Sequence, residues 1–261
     1  MLKIIRQAQV YAPQYLGVKD VLYTENKILA LADQIELQLT GGVVEEIDGR
    51  GKLLTPGFID GHFHILGGGG EGGFQNRTPE VTLTQLTTAG VTSVVGCLGT
   101  DGEGRDMTAL ISKARGLEAE GISTYVYVGS YRLPVKTVTD SIIKDFLTID
   151  KVIGIGEIAI SDHRSSQPSL AEFTRAAADA RVGGMLSGKA GIINVHLGDG
   201  KERLKLIEET IAHTEIPMSQ FWPTHANRTQ EVFEACVAYA KRGGYIDFTG
   251  SEDPDFWEET D

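Results

Sequence analysis

From residue 55 onward, short apolar runs alternate with longer stretches of helical periodicity, and this repeat is what most constrains the fold of the chain. The apolar runs predict β-strands at residues 57–62, 92–98, 124–129, 152–160, 192–197, 221–225 and 245–249. Between them, helices are predicted at residues 82–89, 108–120, 170–181, 201–213 and 229–242. Such units indicate a parallel sheet, either open and doubly wound or closed as a (β/α)₈ barrel of the TIM type. No Gly-x-Gly-x-x-Gly leads from the first strand into a helix, so the barrel is preferred.

Residues 1–54 follow a different sequence pattern. Short β-rich runs at residues 8–11, 20–23, 27–31 and 42–48 alternate with turns and predict a small antiparallel β unit. The expected organisation is therefore an α/β protein with a small β domain over residues 1–54 and a barrel over residues 55–261.

Composition, charge and cysteine usage limit the classes of protein to which the chain can belong. The chain has 261 residues and a net charge of −12, and its basic residues are scattered, which argues against nucleic acid or a membrane surface as partner. The N-terminal residues do not form a signal peptide, and no apolar run approaches the length of a membrane span. Cys97 and Cys236 lack a metal-type spacing and fit free thiols in a reducing compartment. We expect a cytoplasmic protein.

His62-Phe63-His64 stands at the end of residues 53–60, an apolar run that predicts a buried strand. Residues two apart on a strand point to the same face, so the two imidazoles can hold one metal ion between them. The alternative is that both histidines are solvated residues of a loop.

Three further polar residues fall on predicted strands. His196 lies near the end of residues 192–197, His225 ends residues 221–225, and Glu157 interrupts the apolar run 152–160. In a barrel the carboxyl ends of the strands face one cavity, so these residues are expected to meet there. Taken singly, each histidine could be a hydrogen-bonded core residue, but an unpaired buried carboxylate costs several kcal/mol. His163 and His213 are predicted in a loop and a helix and are not assigned to the metal.

A resemblance to a known family, over nearly the whole length of the chain, is carried by residues 56–64, 67–71, 77–81, 90–96, 159–165, 181–184 and 223–228. In these segments the chain resembles the amidohydrolase superfamily and, more narrowly, its isoaspartyl dipeptidases. The four-glycine run ending at Glu71 and the segment 161–165 are more specific than His-x-His alone. The resemblance implies a β-aspartyl dipeptide as substrate and a homo-oligomer.

The resemblance also implies two divalent metal ions, most readily Zn²⁺, which share a nucleophilic hydroxide. His62 and His64 would bind one ion, and His196 and His225 the other. Relatives usually bridge the two ions with a carbamylated lysine, whereas Glu157 stands at that position here. Glutamate supplies the anionic oxygens without modification, and Gly154 and Gly156 offer its shorter side chain room to approach.

The substrate carries one ammonium and two carboxylates, so its site needs one anion and at least two cations. Glu71 is the candidate for the ammonium, and Arg164 and Arg228 are the candidates for the carboxylates. Thr100 resembles a residue that helps to hold the ammonium. Tyr131 could donate its hydroxyl to the oxyanion at the scissile carbonyl. The alternative for each is a solvated loop side chain.

In this superfamily an aspartate at the end of the eighth strand moves the proton. Only seven strands are predicted before Asp261, so we expect the native polypeptide to continue with an eighth strand that carries this aspartate. Asp247, Asp253 and Asp255 receive no assignment. Two alternatives stay open: hydrolysis of another substrate, such as an N-acyl amino acid or a cyclic amide, and a non-catalytic scaffold.

Overall fold

The computed structural model describes residues 1–25, 27–38 and 40–250. Two compact units divide the chain, Met1–Phe58 and the residues from Ile59 onward. No helix in the described part of the chain is long and apolar enough to cross a membrane.

The first unit is a β-sheet in which the described residues form five strands. They are β1 (Leu2–Tyr11), β2 (Tyr15–Thr24), β3 (Lys27–Ala32), β4 (Val44–Asp48) and β5 (Leu53–Leu54). The order is β3-β2-β1-β4, with β5 also pairing β1. A small core of Ala8, Val10 and Val21 lies against this sheet.

The prediction of an antiparallel unit is wrong for the last two strands. β2 pairs antiparallel with β1 and β3, but β4 and β5 both run parallel to β1. Alternation of apolar and polar residues identifies the two faces of a strand, but it does not predict whether the neighbouring strand runs parallel or antiparallel. The long connection between β3 and β4 gives the chain room for the crossover that a parallel pair requires.

The second unit contains a curled sheet flanked by helices. Its strands are β6 (Phe58–Phe63), β7 (Val91–Gly96), β8 (Ser123–Val128), β9 (Val152–Ile160), β10 (Ile192–Leu197) and β11 (Phe221–Thr224). They neighbour one another in chain order, and the pairs β7–β8, β8–β9, β9–β10 and β10–β11 are parallel. This half-barrel confirms the predicted class, an α/β fold of the TIM type.

Helices follow the strands along the chain. They are α1 (Leu83–Thr88), α2 (Met107–Ala119), α3 (Ile142–Thr148), α4 (Leu170–Ser187), α5 (Lys205–His213) and α6 (Gln230–Lys241). The sequence pattern did not predict α3, and it ended α4 too early. α4 continues past Arg181 because Gly183 lets it pass Phe146 of α3, where an added Cβ would lie 2.8 Å from the ring.

Residues 245–249 were predicted as a strand, and the structure does not form one there. Asp247 makes two backbone hydrogen bonds, to Pro223 and Ala226. Asn227 then bonds both backbone groups of Thr249 with its side-chain amide, at 3.0 Å each, and so replaces the ladder bonds of a strand.

The predicted buried strand over residues 53–60 is also wrong. Phe58 and Ile59 are 70% and 75% exposed, and the run divides into β5 and β6. Pro56 separates the two strands because its ring nitrogen has no hydrogen to donate to a ladder.

Candidate metal centre

Four histidines at the carboxyl ends of the strands surround the carboxylate of Glu157. Its Oε2 lies 3.1 Å from Nδ1 of His196, 3.3 Å from Nε2 of His62 and 3.7 Å from Nε2 of His225. Its Oε1 lies 3.3 Å from Nε2 of His64. The structure therefore brings together all five residues that the sequence nominated as metal ligands.

Glu157 is fully buried, and its Oε1 has no hydrogen-bond partner among the described residues. Burial alone would raise the pKa of this carboxyl, but the charge of His62 and the contacts of His196 and His225 hold the pKa well below its usual range. Glu157 is thus a buried anion with an oxygen free to bind a cation. Imidazole nitrogens and carboxylate oxygens are a donor set that suits zinc.

A β-bulge in β9 directs the Glu157 side chain toward the histidines. The register between β9 and β10 shifts here, so that Gly156 and Glu157 together oppose Asn194. Gly156 has φ +138°, and a Cβ on it would lie 2.5 Å from the carbonyl oxygen of Asn194. Only glycine fits this close approach of the two strands.

In three of the imidazoles, the ring nitrogen that does not face Glu157 contacts an oxygen atom of another side chain. The pairs are His62 Nδ1 with Asn194 Oδ1 at 2.9 Å, His196 Nε2 with Asp162 Oδ2 at 3.0 Å, and His225 Nδ1 with Thr249 Oγ1. Each contact turns the opposite nitrogen toward Glu157, as supporting contacts do in metal sites. Sequence reasoning missed these three partners, because nothing in the strand pattern predicts which side chains meet behind a ring.

Cys97 is a further neighbour of the cluster that sequence reasoning missed. Its Sγ lies 3.7 Å from both His62 Nε2 and His64 Nδ1, and the residue is 1% exposed. Both cysteines are free thiols, as predicted. The signal was available, since Cys97 directly follows β7 and so occupies the same strand-end position as the histidines.

The pKa values of His62 and His64 are shifted in the opposite direction from that of His225. Burial alone would lower the pKa of His62 and His64, but the negative charges of Cys97 and Glu157 raise these values to about 10 and about 11. His225 is different, because burial lowers its pKa to about 4. Positive charge therefore concentrates on the side of His62 and His64.

Glu71, Thr100 and Arg164, three of the predicted substrate-binding residues, contact one another. Glu71 Oε1 accepts hydrogen bonds from Thr100 Oγ1 at 2.6 Å and from Arg164 Nη1 at 3.2 Å. The rest of the guanidinium fork is occupied, since Nε and Nη2 donate to Asp162 at 2.9 and 2.6 Å. Arg164 is thus fixed in place and is not a freely moving surface cation.

Tyr131 joins the two clusters. Its hydroxyl lies 2.8 Å from Nδ1 of His196, and the Arg164 guanidinium lies 5.5 Å from the centre of its ring. Burial, together with the charge of Glu157, raises the pKa of the Tyr131 hydroxyl above its ordinary value. The phenol therefore keeps its proton and can donate it in a hydrogen bond.

Arg228 lies in the turn after β11 and is half-buried. Its backbone N–H donates to the carbonyl of His225, and its Nε is buried without a hydrogen bond to any described residue. A cavity of about 570 Å³ lies beside the histidines, and Asp247 is among its lining residues. Asp247 accepts a hydrogen bond from Thr224, whereas Asp253 and Asp255 lie outside the described residues.

The comparison with solved structures identifies the chain as a member of the amidohydrolase superfamily. A crystal structure of beta-aspartyl dipeptidase from the thermophilic, keratin-degrading Fervidobacterium islandicum AW-1 is 50% identical and has a TM-score of 0.93. The alignment covers 98% of this chain and 69% of that one. The chain belongs to the beta-aspartyl dipeptidase family.

A second structure from the same organism holds that dipeptidase in complex with the beta-Asp-Leu dipeptide. It is also 50% identical, with a TM-score of 0.92 over 98% of this chain and 67% of that one. Dihydroorotase of Listeria monocytogenes is 46% identical over 69 residues, which is 26% of this chain and only 15% of that protein. No family model matches the chain.

Proposed function

We propose that this chain hydrolyses the isopeptide bond of β-aspartyl dipeptides with the help of two divalent metal ions, Zn²⁺ being the best candidate. The observation that carries the proposal is the buried Glu157 carboxylate with four imidazoles around it. The substrate class follows from the relative that is 50% identical over the aligned residues and was crystallised with beta-Asp-Leu.

The residues present fit the two ions. His62 and His64 would hold one ion, His196 and His225 the other, and Glu157 would bridge them through its two oxygens. Oε1 faces His64 and Oε2 faces His196 and His225, which agrees with one ion on each oxygen, and Oε2 also lies 3.3 Å from His62. When bound, such ions polarise a carbonyl group and lower the pKa of a water molecule.

Glu71 would bind the ammonium group of the dipeptide. Its carboxylate is partly exposed, and the Thr100 hydroxyl and the Arg164 guanidinium hold it in position. These contacts, the Thr100 hydrogen bond first, lower the pKa of Glu71, so it carries its negative charge at neutral pH. Arg164, whose Nη1 donates to Glu71 and not to Asp162, and Arg228 would bind the two carboxylates.

Tyr131 would donate its hydroxyl hydrogen to the carbonyl oxygen as negative charge develops there. Its contact with His196 puts the hydroxyl beside the proposed metal ligands, and its raised pKa keeps the proton on the phenol. A fixed donor of this kind contributes most when it is buried, because no water competes for the oxyanion.

The test compares hydrolysis of β-Asp-Leu and α-Asp-Leu by the metal-loaded protein and by the same protein after chelation. We expect cleavage of the β-linked dipeptide alone, loss on chelation, and recovery with added zinc. His196→Asn should abolish the recovery, whereas His213→Asn, on the exposed end of α5, should not. Cleavage of a cyclic amide or an N-acyl amino acid in place of β-Asp-Leu would contradict the substrate. A protein that binds no metal would instead support a scaffold.

A further inference from the structure

We propose that the thiolate of Cys97 is a ligand of the divalent ion held by His62 and His64. The inference rests on the proposed function only in requiring that an ion binds at these histidines. It assigns a role to a buried nucleophilic group that the proposed hydrolysis does not use.

The spacing of the donor atoms is that of a shared ion. Zinc–nitrogen and zinc–sulfur bonds of about 2.0–2.1 Å and 2.3 Å, set at a tetrahedral angle, separate the two donor atoms by about 3.5 Å. Cys97 Sγ lies 3.7 Å from a ring nitrogen of His62 and of His64. Glu157 Oε2 lies 3.3 Å from Nε2 of His62, the nitrogen that faces Cys97, whereas Oε1 lies 3.3 Å from Nε2 of His64, opposite the Nδ1 that faces Cys97. One donor atom from each of these four residues lies within 4.8 Å of the other three, which makes them a candidate site for one ion.

The charge of the donor set supports the same role. The two proposed ions bring four positive charges, of which the shared Glu157 carboxylate offsets one and a Cys97 thiolate would offset a second. Without Cys97 the ions and their ligands would carry one more positive charge among largely buried side chains, and a buried net charge is costly. Thiolate sulfur is also a strong zinc donor.

Cys97 and Cys236 differ in their surroundings, as a metal-binding role of Cys97 alone requires. Cys236, on α6, belongs to the hydrophobic core, and burial raises the pKa of its thiol to about 12. Cys97 is buried as well, but its Sγ faces ring nitrogens of His62 and His64 and not apolar side chains alone. Its position beside two proposed metal ligands is that of a thiol that can bind the ion as its thiolate.

Cobalt replaces zinc as an optical probe in the test. The intact protein is stripped with a chelator and titrated with Co²⁺ while near-ultraviolet absorption is recorded. We expect a thiolate-to-cobalt charge-transfer band in the unmodified protein and in Cys236→Ser, the matched control. Cys97→Ser should lack the band and bind the first ion at least tenfold more weakly. A band of undiminished intensity in Cys97→Ser overturns the proposal.

X-ray absorption at the zinc edge tests the unmodified protein without any substitution. We expect a sulfur scatterer at about 2.3 Å from zinc, and a shell of nitrogen and oxygen alone overturns the proposal. Failures of the two proposals can be told apart. Metal-dependent cleavage of β-Asp-Leu without sulfur ligation leaves the proposed function intact, whereas sulfur-ligated metal without dipeptide cleavage refutes the proposed function alone.

Discussion

Asp162 and His196 are joined by a contact of 3.0 Å between Oδ2 and Nε2, which leaves Nδ1 of the imidazole 3.1 Å from Glu157. The carboxylate favours the tautomer with its hydrogen on Nε2, so the lone pair of Nδ1 points into the cluster. The same carboxylate holds Arg164 in place. One buried side chain thus orients a proposed metal ligand and a proposed substrate-binding residue together.

Asp162→Ala should weaken metal binding by about tenfold to a hundredfold, because a ligand imidazole without its supporting carboxylate loses orientation and basicity. Competition with a chromophoric chelator measures the change. Asp199→Ala, an exposed aspartate shortly after β10, is the control and should bind metal normally. Equal affinity in the two variants would mean that Asp162 serves Arg164 alone.

Glu157→Gln should lose at least one of the two metal ions, because an amide cannot supply two anionic oxygens to a bridge. Elemental analysis after dialysis measures the ions per chain. Reconstitution of the unmodified protein should also be insensitive to bicarbonate, since Glu157 needs no carbamate. A requirement for bicarbonate, or two ions and a normal rate in the variant, would refute the bridging role.

Replacing Glu71 or Arg228 by alanine should lower kcat/KM for β-Asp-Leu while metal content stays the same. A lost charged hydrogen bond costs about 1.5–3 kcal/mol, which corresponds to about a tenfold to hundredfold decrease. Glu103→Ala and Arg242→Ala remove exposed charges elsewhere and serve as controls. Full activity in either test variant would exclude that residue from substrate binding.

The first unit has its own pH-dependent contact. Asp20 is buried and accepts hydrogen bonds from Arg6 and from the backbone of Gln7 and Ile35. Burial alone would raise its pKa, but these donors lower it from 3.8 to about 2. Because the folded-state pKa is depressed, the stabilisation is complete above about pH 4 and is lost as the pH falls through about 2.

Asp20→Asn should therefore cost about 2 kcal/mol of the free energy of unfolding at pH 7 and progressively less between pH 4 and pH 2. Urea denaturation at several pH values measures the difference. Asp33→Asn, at an exposed ion pair with Lys19, is the control. A difference that does not change with pH would show that the contact of Asp20 acts through shape and not through charge.

The convergence of the five nominated metal ligands could be predicted because it follows from topology. Parallel strands end at one edge of their sheet, so His62, Glu157 and His196 had to approach one another once the β-then-α repeat was recognised. Their roles as ligands remain proposals. The parallel direction of β4 and the missing strand at residues 245–249 could not be read in the same way, since hydrogen-bond partners are chosen by residues distant in sequence.

The sequence by itself determined the six segments that form the strands of the half-barrel, though it also predicted a seventh, and it determined which polar residues stand at their ends, because apolar periodicity is local. Tertiary structure alone decided that a bulge turns Glu157 toward the histidines, that Cys97 reaches the same cluster, and that Asp162 occupies the fork of Arg164. These three contacts depend on the register of the strands and on small differences in the spacing between them. Register and spacing are fixed only when the whole sheet has packed.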